Sequence, residues 1–272
     1  MASCGLLNLA TCLPEKFFEF ISSILNAPIQ PMLSMTKDLL DAEVNLTLFS
    51  SLWAIMVYVL SMFYALLIIL SGFTFIISGQ DARKREHAKE WLQNIIVMII
   101  LIQASFFIYQ LAVELSSVMT STTLTLIPSN FFLLTLDNPA NVGLEIMFSF
   151  SYILTLLLTS IILILRYGIV ATGVAIFPMS IFCYFFSPLK PYGALLLHFL
   201  GICIFITFLD AVLLVGFSKL VEVPLFANIK ILVMISAFGL ITLLMLFMMF
   251  FSIVKAGFSV WNKVSFLAGA FA

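Results

Sequence analysis

The chain has 272 residues, 63% of them hydrophobic and 9% charged, with a mean hydropathy of +1.23. Soluble domains carry about a quarter charged residues and about half apolar ones, so a water-solvated globule is excluded and the main solvent is lipid. A net charge of −1 also excludes a chain that draws nucleic acid through its overall field.

The opening "MASCGLLNLATCLPEKF" has no basic stretch followed by a long apolar core, so a cleaved signal peptide is not expected and internal spans should drive insertion. Cys4 and Cys12 flank a short segment and can pair if the N-terminus lies outside. Within residues 1–46, Phe17, Phe18, Ile21, Ile24 and Leu25 recur at helical spacing, with Glu15, Lys16 and Glu19 on the other side. That pattern predicts an extracytoplasmic amphipathic helix lying in the membrane interface. A second short helix after Pro31 would lead into the bilayer.

A transmembrane domain follows over residues 47–257, and residues 258–272 read as a short C-terminal tail. A helix needs about 20 apolar residues to cross hydrocarbon. Six segments meet this, at 50–78, 91–118, 143–165, 167–187, 193–217 and 229–256. No alternating strand pattern of a membrane barrel is present, so the expected fold is an all-α polytopic membrane protein of about six transmembrane helices. Residues 146–186 carry one charge, Arg166. As one helix this run would extend about 62 Å, twice the hydrocarbon thickness, so it should fold back or break. "RYGIVATG", with Arg166, Gly168 and Gly173, is the expected break, and Pro178 a second kink. A re-entrant pair of half-spans is the alternative here.

Seven charged residues crowd into Asp81–Glu90, between two apolar runs. Four of them, Arg83, Lys84, Arg85 and Lys89, are basic, whereas the next connection, 120–141, has no lysine or arginine. The positive-inside rule makes this stretch the cytoplasmic anchor and places the N-terminus outside. Six spans then put Lys219 and Lys230 inside with Arg166, against Lys190, Lys255 and Lys263 outside. The sequon at Asn45 would be external.

No phosphate-binding loop, dinucleotide fingerprint or nucleophile elbow occurs, and His87 and His198 stand far apart, so neither an enzyme nor a bound cofactor or metal is expected. Cys183 and Cys203 read as small buried hydrophobes. The methionines of "MLFMMFF" lack a companion Cys or His and read as apolar filler rather than a copper site. Gly201 and Gly216 suggest close helix approach. Polar groups inside spans are the informative ones, because each is costly in hydrocarbon. Asp210, deep in the fifth span, suits either a subunit contact or water path, or a structural anchor paired with Arg166. Glu114, with Gln110, lies in the outer half of the second span. Arg166 would end the third, and His198 reads as a satisfied interfacial group.

Two stretches carry a family resemblance. "SGFTFIISGQDARKREHAKEWLQNIIVMIILIQ" places a G-x-D-x-x-[KR]-[KR]-x-x-A-K-x-W turn between two spans, and resembles the hairpin of type IV secretion membrane proteins, including TrbC-type pilins. "LRYGIVATGVAIFPMSIFCYFFSPLKPYG" is similar to the segment of TrbL-type polytopic subunits in which an arginine precedes a proline-interrupted span and a proline-bearing exit. Arg166, Pro178 and Pro188 are the matching positions. CedA-type archaeal DNA-import proteins belong to the same group. The resemblance covers about half the chain, and the long soluble C-terminal region of many TrbL proteins is missing.

The resemblance implies a multi-pass subunit of the cell's inner (cytoplasmic) membrane, a channel or scaffold in a type IV secretion or conjugation-like apparatus. Its implied partners are further copies of itself, a pilin, a separate ATPase, the bilayer and translocated single-stranded DNA or protein. A small-molecule or ion transporter is the alternative, though such proteins usually show repeated halves and none is evident. A non-conducting assembly scaffold is a third reading. No single span carries a polar stripe dense enough for a large polyanion. In a ring, Thr155, Thr159, Ser160, Thr172 and Thr207, with Asp210 or Arg166, would form polar collars.

Overall fold

A computed structural model describes residues 9–42, 44–80, 82–128, 131, 142–227 and 229–270. Its elements are helices: α1 (Leu9–Asp41), α2 (Ser50–Ile77), α3 (Ala82–Leu124), α4 (Val142–Phe185), α5 (Lys190–Val221), the short α6 (Pro224–Ala227) and α7 (Lys230–Ala270). Single 3₁₀ turns at Leu46–Phe49, Ser78–Gln80 and Ser187–Leu189 lead into or out of the long helices. Five helical segments are long and apolar enough to cross a membrane: Leu46–Ile77, Ala82–Leu124, Met147–Phe185, Ser187–Val221 and Lys230–Phe251. The chain is an all-α polytopic membrane protein.

The expected third and fourth spans are one helix. α4 runs unbroken through Arg166, Gly168 and Gly173 and contains Pro178, so the expected break and the end of a span at Arg166 are both corrected. The length argument assumed that apolar residues face lipid. In α4 many face protein instead: Tyr152, Leu156, Leu163, Val170, Ala171 and Val174 are all at most 1% exposed. Apolar length then measures helix packing as well as membrane depth, and an apolar run about 58 Å long needs no reversal. The sequence signal does coincide with a boundary of another kind. One boundary between two compact units falls between Leu165 and Arg166: the first unit comprises residues up to 42, 119–165 and 208–245, and the second 43–118, 166–207 and 246 onward.

Three further expectations change. The basic stretch is no loop; Arg83, Lys84, Arg85 and Lys89 occupy the first turns of α3, all exposed, and only Ser78–Gln80 and Asp81 separate α3 from α2. The segment before the first span is a single helix, α1, continuing through Pro28 and Pro31 rather than two short ones. Ile29, Leu33, Thr36 and Leu40 form its buried stripe at helical spacing, while Phe17, Phe20 and Ile24 stay exposed. The side chains of Glu15, Lys16, Phe18, Glu19, Ile21 and Leu25, and the pairing of Cys4 with Cys12, lie outside the described residues. Finally, the expected C-terminal tail is helical, since α7 continues to Ala270.

In the first unit, Tyr152 of α4 packs on Phe238 of α7, with ring centroids 6.0 Å apart. The second unit has two apolar clusters. One joins Tyr109 and Val113 of α3, Val170 and Val174 of α4, and Leu200 and Cys203 of α5. The other joins Val57, Leu60 and Leu67 of α2, Ile95, Met98 and Ile102 of α3, and Ile181 and Phe182 of α4. α3 can serve both because its buried positions, from Ile95 through Ile102, Tyr109 and Ser116 to Thr120, recur every three or four residues.

Candidate functional site: the buried polar groups of the spans

In the second unit several buried polar side chains donate to helix carbonyls. Arg166 projects from α4 with 5% exposure and grips α5: Nε donates to the Cys203 carbonyl at 2.8 Å and Nη2 to that of Ile204 at 3.0 Å. Ser116 of α3 adds a third donor, its Oγ reaching the Ile204 carbonyl at 2.7 Å. A carbonyl has two lone pairs, so an oxygen within a helix can accept a second bond without unwinding it. Three helices are tied together at the 203–204 turn of α5. Sequence reading located Arg166 and missed Ser116, whose hydroxyl carries no signal of its own in an apolar run.

One turn along α4, the Tyr109 hydroxyl donates to the Val170 carbonyl at 2.7 Å, with its ring 5.3 Å from that of Phe177. Gly173 makes this approach possible. A Cβ there would run into Tyr109 Oη and come within 2.7 Å of Leu200 Cδ2. Its role is close packing, in place of the expected helix break. Gly168, by contrast, is exposed with nothing within 4 Å of an added Cβ, and Gly201 and Gly216 have the same open space, which corrects the expectation of close approach there. Pro178 is buried inside α4. Gly193, which the sequence did not flag, is needed at the start of α5, where a Cβ would strike the Cys183–Tyr184 backbone.

The first unit holds a set of hydroxyls. Thr36 of α1 and Ser160 of α4 share a bond of 3.0 Å, and Thr159 of α4 and Thr242 of α7 one of 2.8 Å. Ser160, Thr159 and Thr242 also reach the carbonyls of Leu156, Thr155 and Phe238 on their own helices. These pairs couple α1 to α4 and α4 to α7 without placing a charge in hydrocarbon. Tyr152 is fully buried, and its hydroxyl has no hydrogen-bond partner among the described residues. Asp210 of α5 is also fully buried.

The remaining candidates face outward. Glu114 is exposed and accepts a 2.7 Å bond from Gln110 Nε2, one turn away on α3. His198 is exposed, with Nδ1 at 2.9 Å from the Ala194 carbonyl of its own helix. Thr172 is exposed, but Thr159, Ser160, Thr207, Arg166 and Asp210 are buried within the chain. Burial removes most of the expected collar positions within the chain, and Thr159, Ser160 and Arg166 are instead bonded to neighbouring helices. No family model, curated protein or solved structure matches the chain.

Proposed function

We propose that the chain is a channel or scaffold subunit of a type IV secretion or conjugation-like apparatus in the cell's inner (cytoplasmic) membrane. It works as an oligomer with a pilin and a separate ATPase, on the path of single-stranded DNA or protein. The observation that carries the reading is the charged hairpin, whose G-x-D-x-x-[KR]-[KR]-x-x-A-K-x-W motif runs from the α2–α3 connection into the first turns of α3 with its cations exposed. The exposed Gln110–Glu114 pair supports an oligomer as well, since polar groups on an apolar helix normally face protein or water.

In this reading the N-terminus is outside and the hairpin inside. Five spans then put Lys190, Lys255 and Lys263 on the hairpin side, against Lys16, Lys37, Lys219 and Lys230 on the other. The hairpin side then holds seven basic residues against four, where the six-span arrangement holds seven against five, so both follow the positive-inside rule to a similar degree. The test is disruption of the gene, followed by an assay of DNA or protein transfer and native mass measurement of the complex extracted in mild detergent. Lost transfer together with multiple copies or bound secretion subunits is the expected result. A monomer that conducts solutes after reconstitution would replace this reading with a transporter.

A further inference from the structure

In the second unit, two cations lie over aromatic rings near the ends of apolar helices. The guanidinium carbon of Arg85 is 5.7 Å from the ring centroid of Phe75, and Lys190 Nζ is 5.6 Å from that of Tyr184. Lys89 follows Arg85 by one helical turn and is exposed, as are Arg85 and Lys190. Trp91 and Leu189 pack on the same apolar cluster, Trp91 two residues after Lys89 and Leu189 next to Lys190 in the chain. Glu86 and Glu90 lie about 100° further round α3, so Arg85 and Lys89 share a face that neither acid occupies. Beside them, at the end of α2, Ile76 and Ile77 are 75% and 80% exposed.

Cations held over rings, next to bare isoleucines, match a molecule with a phosphate at one end and a hydrocarbon chain at the other. We propose that Arg85, Lys89 and Lys190 bind the headgroup phosphate of an anionic phospholipid whose acyl chains lie along Ile76 and Ile77. A phosphatidylcholine carries a compensating cation and fits less well. An acidic protein surface would satisfy the cations but would leave no role for the isoleucines. This inference is independent of what the protein transports.

The experiment uses the full chain purified in detergent and titrated with dioleoylphosphatidylglycerol or dioleoylphosphatidylcholine, with retained lipid counted by native mass spectrometry. The wild type should retain phosphatidylglycerol preferentially. Each basic residue near a membrane surface contributes about fivefold in affinity, so Arg85→Gln/Lys89→Gln/Lys190→Gln should bind on the order of a hundredfold more weakly. Lys37→Gln/Lys219→Gln/Lys230→Gln removes the same charge elsewhere and should bind like the wild type. Circular dichroism checks that both variants keep their helix content; if the triple variant does not fold, Lys190→Gln alone should show the fivefold loss. Equal retention of the two lipids, undiminished binding by the folded triple or single variant, or an equal loss in the control would each overturn the site.

Discussion

Arg166 on α4 donates from Nε to the carbonyl of Cys203 on α5 at 2.8 Å, so a side chain from one apolar helix is bonded to the backbone of another. Hydrogen bonds to charged groups contribute about 1.5–3 kcal/mol each, although membrane helix pairs often show less. Arg166→Met keeps the length and loses the fork, and should destabilise the chain by about 1–3 kcal/mol. Arg166→Lys cannot reproduce the planar two-carbonyl grip and should also melt early. Thermal unfolding in detergent measures both, and a lysine variant that melts with the wild type would show that charge alone suffices.

Gly173→Ala should be damaging and Gly168→Ala harmless, although only five residues of α4 separate them. The first Cβ meets Tyr109 and Leu200, while the second meets open space. At an open helical position, alanine replaces glycine with a gain of about 0.5–1 kcal/mol. Adding Tyr109→Phe to Gly173→Ala should recover part of the loss, because it removes one of the two colliding groups. Equal melting of the two alanine variants would sink this account.

Tyr152→Phe removes a buried hydroxyl that has no hydrogen-bond partner among the described residues, while keeping the ring against Phe238. Stability should stay level or rise, by up to about 1–3 kcal/mol. Thr159→Val should move the other way, since it removes the cross-helix partner of the Thr242 hydroxyl. A marked loss on Tyr152→Phe would reveal a partner for that oxygen.

Five spans and six spans disagree about one accessible site. Cysteines placed at Ala82 and at Ser187, both exposed, should face the same side of the membrane if α4 crosses once. With a break near Gly168 they would face opposite sides. The background is Cys4→Ser/Cys12→Ser, and labelling of intact cells by an impermeant thiol reagent reads the result. Labelling of only one of the two would restore the six-span topology.

Asp210→Ala should disturb complex recovery or transfer more than Leu209→Ala, because Asp210 is fully buried and Leu209 is 41% exposed. Insertion scales put a central aspartate at about 2.5–3.5 kcal/mol, a cost that a chain carries for a reason. Normal recovery and normal transfer by Asp210→Ala would show the carboxylate to be dispensable.

Composition and the length of the apolar runs determined by themselves that this is a helical, multi-pass membrane protein, because hydrocarbon leaves few ways to satisfy a backbone. They also located the charged hairpin, whose cations cannot be buried without partners, and they singled out Arg166 and Asp210 as costly groups. Hydropathy reports how apolar a residue is, not what it touches, and here tertiary structure decided the outcome. Packing of Tyr152, Leu156, Leu163 and Val170 against protein let α4 stay whole. Gly173 became a point of contact rather than a break only because Tyr109, 64 positions earlier in the chain, needs its space. The hydroxyls of Ser116, Thr36 and Thr242 found their partners through helix pairing across 88, 124 and 83 positions, distances over which no local pattern can signal.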